Sequence, residues 1–308
     1  MNLREIIKLN HQPSKSEPWM GFSLTDMNAF VGLLEFVHAL TNIQHLDQSR
    51  NPILFRGQSD NSWDMRPKIY RIAERLPLEF RLGYEFDSVT FFKQHAHRFL
   101  NSNSIPNENT MPKGAYYFAE WLSIMQHYGA PTRLLDWTSS FNVALYFATS
   151  TLPKTDGVIW YFNCQALQEA TPEFDIELTD DEEDETFKNR DAFISFGKSI
   201  KSPSIIAFNN QIKFDRMAAQ HSTFTVSDHI TIDHRSLIGK FLWNKHSESN
   251  PVNLLTCIEI PSNLKSKIRE HLSKIGISAG TLFPGVEGLG KTVQEIFEIH
   301  ESVYFPTD

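Results

Sequence analysis

The chain has 308 residues, of which 41% are hydrophobic, 21% charged and 12% aromatic, a composition that excludes collagen-like, disordered and disulfide-scaffold proteins. The formal net charge is -8, but nine acids fall between Glu173 and Glu185, and without those nine the balance is +1. The near-neutral remainder has no basic excess of the kind that by itself marks a phosphate-tracking surface.

The acidic stretch, within an insertion at about 171–190, reads as a solvated loop. It lacks the central glycine of a calcium loop. Cys164 and Cys257 lie far apart in strand-like runs, too few for a disulfide framework, and fit a reducing interior. The first residues have no apolar core of signal-peptide length, and no window reaches the 18 apolar residues of a membrane span, so a cytoplasmic location without membrane contact is expected.

In chain order, Asp26 is placed to cap a helix whose apolar positions run from Met27 through Phe30, Leu34 and Val37. Pro52–Phe55 reads as a strand ending in the polar turn that begins at Arg56. Helical spacing returns from Glu79 to about Leu100, and Asn101–Pro112 reads as a loop. A further helix covers Ala115–Tyr128, with Gly129 as its left-handed stop and Pro131 preventing continuation. Thr132–Trp137 is a short strand, and Thr138 or Ser139 caps a helix through Phe147. Strands follow at Val158–Phe162, Ser204–Phe208, Thr223–Val226 and Leu254–Ile260. Ser262 caps a helix that stops near Gly276, and Val293–Ile299 suggests one more. Without strict strand–helix alternation the fold class is α+β, with mixed, mostly antiparallel sheets flanked by helices.

Between Met125 and Ser140 a helix end, a proline turn, a strand and a helix start follow within a few residues, crowding Gln126, His127, Thr132, Arg133, Asp136, Trp137 and Thr138 together. Buried polar groups cost free energy unless paired, so such crowding points to a functional cleft or to a structural hydrogen-bond network. Read singly, Arg56 could be a salt-bridge partner of Asp136, His127 a helix cap and Trp137 a core residue. Gln126 and Gln220 could satisfy buried backbone groups. His95, His97, His229 and His234 lack zinc-like spacing, so no metal is expected. Gly285 to Thr292 formally matches Gly-x4-Gly-Lys-Thr, but no strong strand precedes it within the usual βα turn.

Phe55-Arg56-Gly57-Gln58, Trp63, Arg66-Pro67, the run from Gln126-His127-Tyr128-Gly129 to Leu134-Leu135-Asp136-Trp137-Thr138, and Ala144–Ala148 together resemble the FRG domain. The likeness continues through Arg216–Gln220 with Phe224, Gly276-Ile277, Thr281–Pro284 and Gly288-Leu289. It implies a single FRG-type domain over 1–308, with its core at about 30–295. A more distant resemblance is to the ADP-ribosyltransferase fold, whose members place an arginine at the end of a first strand, as Arg56 stands here, and follow with a strand ending in Ser-Thr-Ser and a helix. In that fold a later strand brings a catalytic glutamate, where this sequence offers Gln220.

What the second resemblance implies is an NAD-dependent enzyme that cleaves the nicotinamide–ribose bond and transfers ADP-ribose to a macromolecule or to water, in a toxin or phage-defence setting. Arg56, Asp136 and Gln220 are then the catalytic candidates, and Arg56, Gly57, Gln126, His127, Thr132, Arg133, Trp137 and Thr138 the cofactor-binding ones. Cleavage builds positive charge on the ribose, which a carboxylate would stabilise, whereas glutamine holds but cannot act as a base. Asp136 is the nearest carboxylate in sequence, with Glu120 and Glu287 behind it. The alternative is a non-catalytic module recognising a nucleotide or nucleic-acid end in the same cleft.

Overall fold

The computed structural model describes residues 6–45, 53–107, 111, 114–151, 153–171, 189–246 and 253–304. The acidic stretch from Glu173 to Glu185 lies outside them. Eight strands, β1 (Lys8–His11), β2 (Trp19–Ser23), β3 (Ile53–Gln58), β4 (Leu135–Thr138), β5 (Gly157–Asn163), β6 (Ile205–Phe208), β7 (Ser222–Ser227) and β8 (Leu255–Ile260), form one sheet. Their spatial order is β1-β2-β8-β5-β3-β4-β7-β6. Among the described residues only β2 and β8 pair in parallel; every other neighbouring pair is antiparallel. The fold is α+β, with a mixed sheet flanked by helices.

The helices are α1 (Met27–His45), α2 (Lys68–Ile72), α3 (Leu78–Ala96), α4 (Ala115–His127), α5 (Phe141–Thr149), α6 (Cys164–Ala170), α7 (Arg190–Ser199), α8 (Asp215–Ala219), α9 (His234–His246), α10 (Ser262–Lys274), α11 (Ala279–Leu282) and α12 (Val286–Tyr304). Period-two alternation on the strands sorts them into layers. Ile53 and Phe55 of β3 pack with α1, α5, α10 and α11, whereas Leu54 joins Trp137, Phe162 and residues of α9 on the opposite face. A third cluster gathers α3, α4 and α7 over Phe208, Phe224 and Val226 near the other end of the sheet.

Several boundaries follow their sequence signals. Asp26 Oδ1 accepts from the amides of Asn28 and Ala29, which holds its carboxyl below the usual range. Gly129 and Gly276 adopt φ of +86° and +81° beyond the ends of α4 and α10. Others differ. The polar turn expected from Arg56 starts later, because Arg56, Gly57 and Gln58 continue the β3 ladder against Trp160, Ile159 and Val158 of β5. The cap of α5 is Ser140, whose Oγ accepts from Val143 N, since Thr138 remains in β4. Ser262 is the first residue of α10 rather than its cap, and its amide donates to Asp156 Oδ1.

Gly57 sits where α5 presses on β3. A Cβ there would collide with the Ala144 carbonyl, a backbone atom that has nowhere to move. Gly57→Ala is therefore expected to destabilise the fold by about 3 kcal/mol, read as a lowered urea midpoint. Gly290→Ala, whose Cβ would meet open space, should leave the midpoint unchanged or raise it slightly.

Candidate functional site

The site begins where β3 and β4 part. These strands pair at one register position, Phe55 with Thr138. Beyond it, Arg56 Nη1 donates to the Asp136 carbonyl at 2.7 Å, supplying a hydrogen bond where the strands no longer pair. The guanidinium is held partly desolvated beside Arg71, which lowers its proton affinity, while Asp136 counteracts this. Its Nε is buried and makes no hydrogen bond. The expected salt bridge to the Asp136 carboxylate is not the contact made. That carboxylate accepts instead from Gln126 Nε2 at 2.8 Å, and Gln126 Oε1 in turn accepts from the Thr132 hydroxyl. It is also not held by helix N-terminal amides.

The gap opens into a cleft of about 370 Å³ lined by residues of β3, β4, α4, α5, α8 and β7. Arg56, Gly57, Gln126, His127, Asp136, Trp137, Thr138 and Gln220 all border it; Thr132 and Arg133 do not. Asp136 is the carboxylate among the lining residues, and neither reserve acid reaches them. Glu120 is buried, its Oε1 accepting from Gln211 N, and Glu287 is ion-paired with Lys291 at the start of α12.

Several polar wall groups have defined partners. Thr138 Oγ1 donates to the Gln220 carbonyl at 2.7 Å and accepts from Ser140 N, which commits its proton to the scaffold. Gln220 Nε2 donates to the Leu282 carbonyl at 3.0 Å, tying the cleft to α11. His127 stacks on Phe214, with ring centroids 4.5 Å apart. Burial, with Arg216 nearby, lowers its pKa and favours the neutral ring. Arg216 lines the cleft and forms no ion pair among the described residues; its guanidinium lies 4.6 Å from the Phe283 ring centroid. The sequence reading assigned Arg216 no role, although it stands four residues before Gln220, the separation that aligns side chains on one face of a helical turn.

Two candidates serve the scaffold through their side chains. Arg133 is buried in a bidentate pair with Glu85 and donates from Nη1 to the Ser227 and Asp228 carbonyls. Trp137 borders the cleft, but its ring is in the core, where Nε1 donates to Thr225 Oγ1 at 2.9 Å and the indole packs edge-on to Phe162. Thr225 Oγ1 lies 2.8 Å from His234 Nδ1. Because the hydroxyl already accepts from the indole, its proton is available to a neutral His234, whose pKa burial pushes down to about 3, helped by Arg56 and Arg133.

Residues 51–157 match the family model described as FRG domain. The chain carries an FRG domain. The matched segment holds Arg56, Gln126, His127, Asp136 and Thr138, whereas Arg216 and Gln220, which complete the cleft, lie beyond it. No curated protein and no solved structure matches the chain. Among the described residues, no group of three or more His, Cys, Asp or Glu is placed to hold a metal ion, and no helix is long and apolar enough to cross a membrane.

Two measurements check the structural assignments. Arg133→Met leaves the Glu85 charge buried and uncompensated, and should cost about 3–5 kcal/mol of unfolding free energy in denaturant titration. His234 has a lower pKa folded than unfolded, so the unfolded chain binds the extra proton as pH falls. Its contribution is complete above pH 6.5 and declines by about 1.4 kcal/mol per pH unit toward pH 3. His234→Gln should remove that part of the slope in stability-versus-pH curves, while His127 and His229, also lowered by burial, retain theirs.

Proposed function

We propose that the FRG cleft binds NAD as a substrate, cleaves its nicotinamide–ribose bond and passes ADP-ribose to a macromolecule or to water. The observation that carries this reading is the charge layout. Arg56 and Arg216, neither in an ion pair among the described residues, share the cleft with one lining carboxylate, Asp136, fixed by Gln126. Planar guanidinium groups suit the diphosphate of a dinucleotide, and a fixed carboxylate suits the cation that forms on ribose.

In this mechanism the C1′–N bond breaks and its electron pair passes to the pyridinium ring, which leaves as neutral nicotinamide. Asp136 lies beside the charge developing on C1′ and the ring oxygen. A water or acceptor hydroxyl then bonds to C1′ and gives up its proton to the neutral His127 ring or to solvent. Gln220 is assigned to holding the ribose, since an amide cannot take a proton at neutral pH. An enzyme that consumes NAD or modifies a macromolecule suits a toxin or anti-phage role in the cytoplasm, which we include in the proposal.

A second reading is supported by Gln220 itself. The distant resemblance sets Gln220 against the catalytic glutamate, its amide is anchored to Leu282 O, and a cleft without that base would bind a nucleotide or nucleic-acid end without turnover. Incubation with NAD labelled in the nicotinamide ring separates the two. Label release that disappears in Arg56→Ala supports the enzyme, whereas saturable binding without release supports the binding module. Asp136→Asn, nearly equal in shape, should keep folding and NAD affinity within a few-fold and lower turnover by about 10² or more. Full turnover in that variant removes Asp136 from the chemistry.

A further inference from the structure

A second cleft, of about 340 Å³, lies on the other side of Arg56. It shares Arg56, Gly57 and Phe147 with the first and is otherwise built from Trp63, α5 and the C-terminal part of the chain, including Phe283 and Lys291. The ridge formed by the shared residues Arg56, Gly57 and Phe147 has two further cations beside it, with the Glu287 carboxylate close to both. Phe283 has Arg216, which lines the first cleft, 4.6 Å from its ring centroid, and Lys291 Nζ, which lines the second, 3.7 Å from it. Lys291 pairs with Glu287 in an exposed i,i+4 contact of 2.7 Å, a weak and exchangeable interaction.

The carboxylates of the second cleft are already engaged. Glu298 accepts from Arg269 Nη1 at 2.7 Å and from Gln294 Nε2, and Glu295 accepts from Ala279 N at 2.9 Å beside the same arginine. What remains for a ligand is aromatic surface with a cation at its edge. Trp63 is 47% exposed and faces a cavity also walled by Tyr146 and Phe147. Lys291 comes from the stretch that formally matches Gly-x4-Gly-Lys-Thr. That stretch is helical from Val286 onward and is preceded by helix α11 rather than by a strand, so it is not the strand–loop–helix cradle of a phosphate loop. The lysine side chain alone reaches the cleft.

We infer that the second cleft holds the nucleobase half of a two-lobed dinucleotide, with the ring against Trp63 and the linking phosphates crossing the ridge onto Arg56, Arg216 and Lys291. The inference rests on the reading of the first cleft as the site of the nicotinamide half. It makes Trp63 and Lys291 specificity residues for dinucleotides over mononucleotides, and neither touches the bond that breaks. A stacked base and a phosphate-paired lysine, each removed singly, should each cost about tenfold or more in affinity.

The test is calorimetric titration of the full chain with ADP-ribose, nicotinamide mononucleotide and AMP, in the parent and in Trp63→Ala and Lys291→Ala. Both side chains are substantially exposed, so folding should persist, and thermal melts verify it. ADP-ribose affinity is expected to fall about tenfold in each variant while nicotinamide mononucleotide affinity stays within twofold, and AMP binding should depend on Trp63. If ADP-ribose binding is unchanged in both variants, or if both ligands weaken equally, the inference is overturned while the reading of the first cleft stands. If the parent binds AMP through Trp63 but does not bind nicotinamide mononucleotide, the second cleft stands and the reading of the first falls.

Discussion

The hydrogen bond from Arg56 Nη1 to the Asp136 carbonyl is the constraint on which the site depends. Two neighbouring strands that paired fully would bring Gly57 opposite Asp136 and leave no opening between them. Here pairing ends at Phe55 and Thr138, and a side chain satisfies a carbonyl that the ladder leaves without a strand partner. The arginine thus gives this carbonyl a partner where the ladder has stopped, and the strands separate without leaving it unpaired. The same guanidinium borders both clefts. One residue therefore props the sheet open and supplies charge to the space it creates.

Around that opening, polar groups divide by strand phase. Asp136 and Thr138 alternate with Leu135 and Trp137, which face the core. Gln126 reaches across from the last turn of α4 to fix the Asp136 carboxylate and is itself fixed by Thr132. Arg133 anchors the approach to β4 through Glu85 and two carbonyls, so the strand arrives at the cleft from a rigid base. A side-chain network of this kind is satisfied nearly throughout, and this holds a polar crevice in one geometry.

Much of this was legible in the sequence where local signals were strong. The glycine stops at 129 and 276, the Asp26 cap and the β-branched and aromatic runs of β5, β7 and β8 have purely local causes. The edge pair β1 and β2 escaped notice because Lys8–His11 and Trp19–Ser23 carry no clean alternation and are held chiefly by pairing with each other and with β8. The single span of helix α12 is hard to read from periodicity because its polarity is inverted. Thr292, Glu295 and Glu298 turn partly inward, while Leu289, Val293, Ile296 and Phe297 are exposed. At the site, the crowded stretch between Gln126 and Thr138 runs along the cleft, but its spacing does not rank its members. Leu135-x-Trp137 already signals that the indole points inward. Nothing local shows that Arg133 pairs with Glu85, 48 positions away, or that Arg216 and Lys291 meet on either side of Phe283.

The strand order bears on how the chain reaches this state. The ladders that hold the two site strands join segments remote in sequence: Phe55 pairs with Tyr161, Trp137 with Thr223 and, farther out, Trp19 with Leu255. No tight hairpin nucleates either side of the cleft, so closing large loops precedes any reward from pairing, and high contact order of this sort slows folding. The family-matched stretch ends at the first residue of β5 and stops short of β7. A chain interrupted there would carry β3 and β4 with their outer edges bare, rows of unpaired amides and carbonyls that invite other chains. The stretch with the recognisable motif therefore depends on the less recognisable one to become a folded sheet.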